Sequence, residues 1–288
     1  MLIHNEKIDY EYPLLSLKVY QSRRPKQTKA FNEWHYHKEM EILAIHSGTL
    51  EVHIEDEVHL IPPGGVVVIG PSQLHRDRSL EALHYTILQF DLQPYFEQST
   101  LPYIRLFSDQ NTPLSKLNYE FENEEIRSAI YHCVTEIFRE TQEKQSGYEI
   151  AVNVLIKKIL LILLRNDTRK VLTANLHPDV MRLKPALDYI DEHICEKVSV
   201  ENAAKRVGMS YYYFVKYFRR TMGMNFTEFV NYKKIKTAER ILLTKKMPVS
   251  SVGESIGMPN MAHFYKVFRK YNHCSPNEYR KRMKEWSN

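Results

Sequence analysis

The chain is predicted to be an α+β multidomain protein: an N-terminal β-barrel followed by helices, then a C-terminal all-α domain built on a tandem helix-turn-helix. Three observations carry this. Short apolar alternations broken by turns fill residues 31–90, one pattern is written twice in the last hundred residues, and the charge is divided between the halves. Residues 178–288 hold 21 Lys and Arg against 11 Asp and Glu, a balance of +10, which leaves 19 against 24, or −5, for residues 1–177. A length of 288 residues suits two domains of ordinary size.

The barrel rests on Ile42–Ile45, on Leu50 with Val52 and Ile54, on Val66–Ile69 and on Tyr85–Phe90 as strands. Gly48, Glu55-Asp56-Glu57, Pro62-Pro63-Gly64-Gly65 and Pro71-Ser72 supply the breaks. His46, His53 and His59 alternate with apolar residues and are expected to face solvent. The spacing of His35, His37, Glu41 and Gly48 resembles the first motif of cupins, and Gly65, Pro71 and His75 loosely resemble the second. Lys29 and Gln73 stand where that pattern has glycine. The resemblance implies a cupin-like barrel whose histidines and glutamate face a common interior.

In cupin enzymes those positions hold a metal, so one reading gives His35, His37, Glu41 and His75 a bound Fe, Mn, Zn or Ni ion and oxygenase or isomerase chemistry. The expectation adopted is the other one: they line an effector pocket, with no cofactor and no catalytic residue. Trp34, Tyr36 and Tyr85 join the effector set as rings able to stack on a sugar.

Two helices are expected next, at about residues 122–145 and 148–165. Ile126, Ile130, Val134 and Ile137 mark the first; Ile150, Val154, Leu155, Ile159, Ile162 and Leu163 mark the second. Lys157 and Lys158 interrupt the second apolar run, which is too short for the roughly 20 residues of a membrane span. These are read as dimerisation helices completing a domain of residues 1–165. Residues 166–181 are polar and aperiodic and read as a linker whose flexibility lets effector binding change the placement of the C-terminal domain.

The repeat occupies residues 182–288, with helix-turn-helix motifs at about 200–221 and 249–272. Val200, Ala203, Ala204, Val207, Gly208 and Met209 align with Val249, Val252, Gly253, Ile256, Gly257 and Met258. After one inserted residue, Phe214, Phe218, Arg219, Glu228 and Phe229 align with Phe264, Phe268, Arg269, Glu278 and Tyr279. Small residues let two helices approach, a glycine takes the turn, and aromatics four apart face the core. Ser199 and Ser210 are placed as N-caps. A basic domain carrying two such motifs is suited to phosphate-backbone contact.

Residues from about Leu183 to Met283 resemble the AraC/XylS family DNA-binding domain. The resemblance lies in GMSYYYFVKYFRRTMG, KIKTAERILL, SVGESIGMPNMAHFYKVFRK and SPNEYRKR. It implies seven helices, the two motifs being joined by a long one at about residues 227–244, with a reading helix from each motif in successive major-groove segments. It places base contacts at Tyr212, Val215 and Lys216, and at Asn260, Met261, Ala262, Tyr265 and Lys266. Lys216 and Lys266 suit guanine acceptors, Asn260 suits adenine and Tyr212 a thymine methyl. Tyr211 and His263 are further contacts, while Arg219, Arg220, Arg269 and Lys270 lie later in their helices and suit phosphates. His273 stands where the family has glycine, and Lys234 where it has arginine.

The expected function is therefore sequence-specific transcriptional regulation, of the activator type, in response to a small molecule such as a sugar; the alternative is a metal-dependent cupin enzyme with an accessory DNA-binding domain. Expected partners are double-stranded DNA, the effector, a second copy and RNA polymerase, with no membrane. Cys133, Cys195 and Cys274 form no motif, and MLIHNEKIDY has no apolar signal core, so the expected location is cytoplasmic. No phosphate-binding loop and no nucleophile elbow is present.

Overall fold

A computed structural model describes residues 3–12, 14–26, 31–97, 100–108, 112, 114–172 and 178–286. The chain divides into two compact units, residues 1–175 and 176–288.

The first unit is two sheets. One has the order β1 (Ile3–Asn5), β3 (Trp34–Tyr36), β8 (His75–Ser79), β5 (Leu50–Ile54), β6 (Glu57–Ile61); the other runs β2 (Leu17–Arg24), β9 (Leu83–Phe90), β4 (Met40–Ser47), β7 (Val66–Ile69). Four of these strands match the apolar runs in the sequence. Their inward residues, among them Leu43, Ile45, Val52, Ile54, Val67 and Ile87, form one core shared by both sheets. That is a double-sheet form of the expected barrel. The β7 edge of the second sheet is closed by a 3₁₀ segment, Leu114–Glu122, whose Asn118 hydrogen-bonds both the N–H (2.7 Å) and the C=O (2.9 Å) of Val68. The edge of β7 is thereby satisfied by a side chain instead of a strand.

Helices α1 (Leu101–Ser108), α2 (Glu124–Glu143) and α3 (Tyr148–Arg165) complete the unit. Asn123 caps α2 through the N–H groups of Glu125 and Ile126. Ile130, Val134 and Ile137 of α2 are fully buried, as their spacing required. Of the α3 residues marked in the sequence only Ile159 and Leu163 are buried; Ile150 and Val154 are exposed, and the packing face is filled instead by Val152 and Ile156. His46 does not face solvent as expected. Its Nδ1 and Nε2 lie 2.7 Å from the Tyr131 hydroxyl and from Thr86 Oγ1, fastening β4 to α2. His53 and His59 are also largely covered, paired with Glu51 at 2.7 Å and Glu57 at 3.3 Å. Alternation assigns a side chain to a face of a sheet; it does not say what covers that face.

The stretch read as a linker is partly structured. Asp167 accepts the N–H groups of Val171 and Leu172, Thr168 donates to Glu120, Arg169 lies 4.2 Å over the Tyr119 ring, and Leu172 is buried. Pro178 opens α4 (Pro178–Glu192), in keeping with proline's fitness for a first helical turn. Residues 173–177 lie outside the described residues.

The second unit comprises α4, α5 (Val200–Arg206), α6 (Tyr211–Met222), α7 (Phe226–Thr244), α8 (Val249–Ser255), α9 (Met261–Asn272) and α10 (Pro276–Trp286). These are the expected seven helices. Ser199 and Ser210 cap α5 and α6 as their positions suggested, through the N–H groups of Asn202 and Tyr213. Asn225 and Glu228 form a capping box at the start of α7. Phe214, Phe218, Phe229, Phe264 and Phe268 are almost wholly buried, as the repeat required.

Candidate functional site

The first unit contains a cavity of about 370 Å³ between its sheets. Strand alternation builds it. Along β8, His75, Asp77 and Ser79 point inward and Arg76 and Arg78 outward; along β4, Glu41 shares the inner face with Leu43. Asp77 accepts from Arg24 Nη1 at 2.5 Å and from Asn32 Nδ2 at 2.7 Å, and the Arg24 guanidinium lies 5.2 Å over Tyr85. Burial raises the Asp77 pKa, against the pull of Arg24. Glu6, Glu33, Glu41 and Asp77 all line the space, so carboxylates outnumber the one guanidinium.

Behind His35, which lines the cavity, His37, Glu41 and His75 converge, one ligand-capable atom from each lying within 4.8 Å of the others. His75 Nδ1 donates to the Gln73 carbonyl at 2.9 Å, leaving Nε2 as a buried acceptor without a partner among the described residues. His37 Nδ1 meets the Glu39 carbonyl at 3.1 Å and its Nε2 meets Glu41 Oε2 at 3.0 Å. Burial pushes the His75 pKa down to about 4. For His37 burial works the same way, but the hydrogen bond and charge of Glu41 prevail and raise it. Burial likewise opposes ionisation of Glu41, yet the His37 hydrogen bond and the neighbouring imidazoles hold it down to about 2. Two imidazoles oriented by backbone carbonyls and one ionised carboxylate fit a divalent transition-metal ion, and their second shell is already in place. Gln89 donates to Glu41 at 2.6 Å and leaves its own Oε1 buried with no partner among the described residues.

The second unit carries the polar side chains of α6 and α9 on the outside. On α6, Tyr211, Tyr212, Lys216, Arg219 and Arg220 are exposed and Val215 is half-buried, while Phe214 and Phe218 turn inward. On α9, Ala262, His263, Lys266, Arg269 and Lys270 are exposed, Met261 and Tyr265 are half-buried, and Phe264 and Phe268 turn inward. Each of these two helices therefore presents one face to the core and one to solvent.

Two family models match the chain. An AraC-like ligand binding domain spans residues 17–160, half of the chain, and a helix-turn-helix domain spans residues 203–282. The chain belongs to the AraC family. The regulatory protein PocR of Salmonella typhimurium is 28% identical over 140 residues, 47% of this chain and 46% of that protein. That match spans about half the relative's length. The uncharacterized HTH-type transcriptional regulator YdeC of Bacillus subtilis is 23% identical over 252 residues, 86% of this chain and 85% of that one. A solved protein of unknown function from Listeria innocua is 31% identical over 34% of this chain and 93% of its own, with a TM-score of 0.32.

This AraC-family chain brings together some of the residues expected from sequence and separates others. His35, Glu41 and Tyr85 line the cavity, and His37 and His75 stand directly behind it. Trp34 and Tyr36 do not reach it. They flank His35 on β3 and so alternate to the opposite face, where Trp34 lies 4.6 Å from the Arg76 guanidinium. Arg24, Asn32, Asp77 and Gln89 line the cavity and were not anticipated. The available signal was Asp77, two residues after His75 and hence on the same face. Asn260 uses its side-chain oxygen to cap α9 through His263 N–H at 3.0 Å, a bond that leaves its amide N–H groups unengaged. Lys270 is held by Glu228 at 3.1 Å, which ties it to α7.

Proposed function

We propose that this chain is a sequence-specific DNA-binding transcriptional regulator of the activator type, controlled by a small molecule taken up in the N-terminal cavity. The observation that carries the proposal is the pair of helices, α6 and α9, built on one scaffold and exposing unlike polar faces within a basic unit. Lys216 with Tyr211 and Tyr212, and Lys266 with Asn260 and His263, are assigned to base edges; Arg219, Arg220, Arg269 and Lys270 are assigned to phosphates. Selection of binding sites from a random DNA pool, followed by gel shift, tests it. Enrichment of an asymmetric, two-part sequence is expected; binding without sequence preference would overturn it.

The cavity supports a neutral or cationic effector rich in hydrogen-bond donors, such as a neutral sugar. Gln89, which lines the cavity, has an Oε1 that lacks a donor among the described residues, and the lining carboxylates repel an anion. Calorimetric titration with neutral monosaccharides and with the corresponding sugar acids is expected to give heat only for the former. Pairing of two copies is supported by α3, which leaves Ile150, Val154 and Leu161 exposed at 70%, 59% and 42%. A dimer is expected by analytical ultracentrifugation at micromolar concentration. Contact with RNA polymerase and a cytoplasmic location go with this reading; among the described residues no helix is long and apolar enough to cross a membrane.

The second reading, a metal-dependent enzyme with an accessory DNA-binding domain, is favoured by one feature, the ligand geometry of His37, Glu41 and His75. Such an ion would supply Lewis acidity while Gln89 fixed the carboxylate. Stoichiometric metal in the purified protein, together with failure to select a DNA sequence, would support it against the first.

A further inference from the structure

The buried cation of the second unit has no part in base or phosphate contact. Lys234, midway along α7, is only 5% exposed. Its ammonium group donates to three backbone carbonyls: Glu196 at 2.8 Å, Ile256 at 2.7 Å and Gly257 at 3.2 Å. An ammonium has three donors, and all three are used. The acceptors come from the lead-in to the first motif and from the turn of the second. Glu196 stands three residues before Ser199, the cap of the first motif's scaffold helix; Ile256 and Gly257 form the turn of the second motif. Gly257 completes the joint, because a Cβ there would lie 2.6 Å from the Cys195 carbonyl oxygen and 2.7 Å from Lys234 Nζ. Its counterpart Gly208 has nothing within 4 Å of the same position. The connecting helix, the lead-in to the first motif and the turn of the second thus meet at one side chain.

We propose that Lys234 is the positioning residue that fixes the separation and phase of α6 and α9, and with them the spacing between DNA subsites that the chain accepts. Both reading helices are anchored to α7 elsewhere, through the apolar core and through Glu228. Lys234 bonds the lead-in to the first motif and the turn of the second at once, so its loss lets one motif turn against the other while each keeps its own fold. Inserting one base pair between subsites moves them apart by about 3.4 Å and turns them by roughly 35°, a mismatch a rigid pair of helices rejects and a loose pair tolerates.

The inference rests on the DNA-binding reading, and the experiment separates the two. The full chain, Lys234→Met and Lys234→Arg are titrated against a site selected by the unaltered chain, against the same site with one base pair inserted, and against random DNA. The unaltered chain is expected to discriminate against the insertion by at least about tenfold. Lys234→Met is expected to lose about tenfold on the selected site, keep its affinity for random DNA, and discriminate less than about threefold between spacings. Lys234→Arg, which can still donate to the three carbonyls, is expected to retain the discrimination. If Lys234→Met does not fold by circular dichroism, Lys234→Gln is read in its place. A folded variant without the ammonium that still rejects the insertion, or a Lys234→Arg that fails like Lys234→Met, would overturn the positioning role and leave DNA binding intact. Failure of the unaltered chain to select any sequence would remove the DNA-binding reading and this inference together.

Discussion

The two helix-turn-helix motifs share a scaffold and differ in nearly everything else. Phe218 packs on Phe229 with ring centroids 5.5 Å apart, and Phe268 on Tyr279 at 5.6 Å. The capping box of Asn225 and Glu228 returns fifty residues later, where Glu278 accepts from Ser275 N–H and donates its own N–H to Ser275 Oγ. Around this common frame the caps diverge. Ser199 caps α5 with its side chain, whereas Pro248 at the head of α8 provides no side-chain bond. Gly223 ends α6 at φ 72°, while His273 ends α9 in the same left-handed region at φ 54°. The exposed faces diverge as well, three tyrosines and a lysine against an asparagine, a histidine and a lysine. Duplication kept what packing demands and released what solvent or DNA meets, so the first motif is the better-capped one and the two should not read the same bases.

The largest expected break in that symmetry lies at the turns. Alanine in the left-handed region costs about 1–2 kcal/mol, which is all that Gly208→Ala should lose, because its Cβ enters open space. Gly257→Ala adds the collision with Cys195 and Lys234, for a total of roughly 2–5 kcal/mol. Urea unfolding of the two variants checks this; equal losses would mean the second turn is no tighter than the first.

At the reading faces, Lys216→Ala and Lys266→Ala should each cost about 1–3 kcal/mol of binding at separate base pairs, with unfolding midpoints unchanged. A uniform loss across all sequences would reassign either lysine to phosphate. Smaller still are the caps. Ser199→Ala should destabilise the second unit by about 1 kcal/mol, removing a bond that α8 already lacks. His273→Gly should relieve roughly 0.5–1 kcal/mol of left-handed backbone strain, restoring the residue that Gly223 provides to the first motif, while giving up the contacts of the imidazole. Thermal unfolding of both variants gives the sign; a net loss for His273→Gly would show that the contacts of the imidazole outweigh the backbone strain.

The helical unit was largely legible in the sequence because, the buried Lys234 apart, the charged residues of α6 and α9 are on the outside and the apolar spacing of those helices is undisturbed. Ser199, Ser210, Phe214 and Phe264 fell where periodicity and capping rules put them. The first unit was less legible because it carries polar groups inside. Strand β8, HRDRS, has His75, Asp77 and Ser79 facing the interior, an inverted pattern that apolar alternation cannot detect. Strand β2 escapes sequence reading for a related cause: past Val19 it reads as polar, yet it pairs with β9 over its whole length and sends Arg24 to Asp77. That pair joins residues 53 apart and leaves no local trace. Trp34 and Tyr36 show the opposite error. Their nearness to His35 suggested a shared pocket, but a period of two on β3 sends neighbours to opposite faces.

On the proposed function, one chain reads two unlike DNA segments with α6 and α9. Hydroxyl-radical footprinting on a selected site tests it most directly, with the unaltered chain, Lys216→Ala and Lys266→Ala compared in parallel. Two protected segments about one helical turn, roughly 10–10.5 base pairs, apart are expected, Lys216→Ala weakening one and Lys266→Ala the other. A single protected segment, or the same segment weakened by both substitutions, would contradict the account.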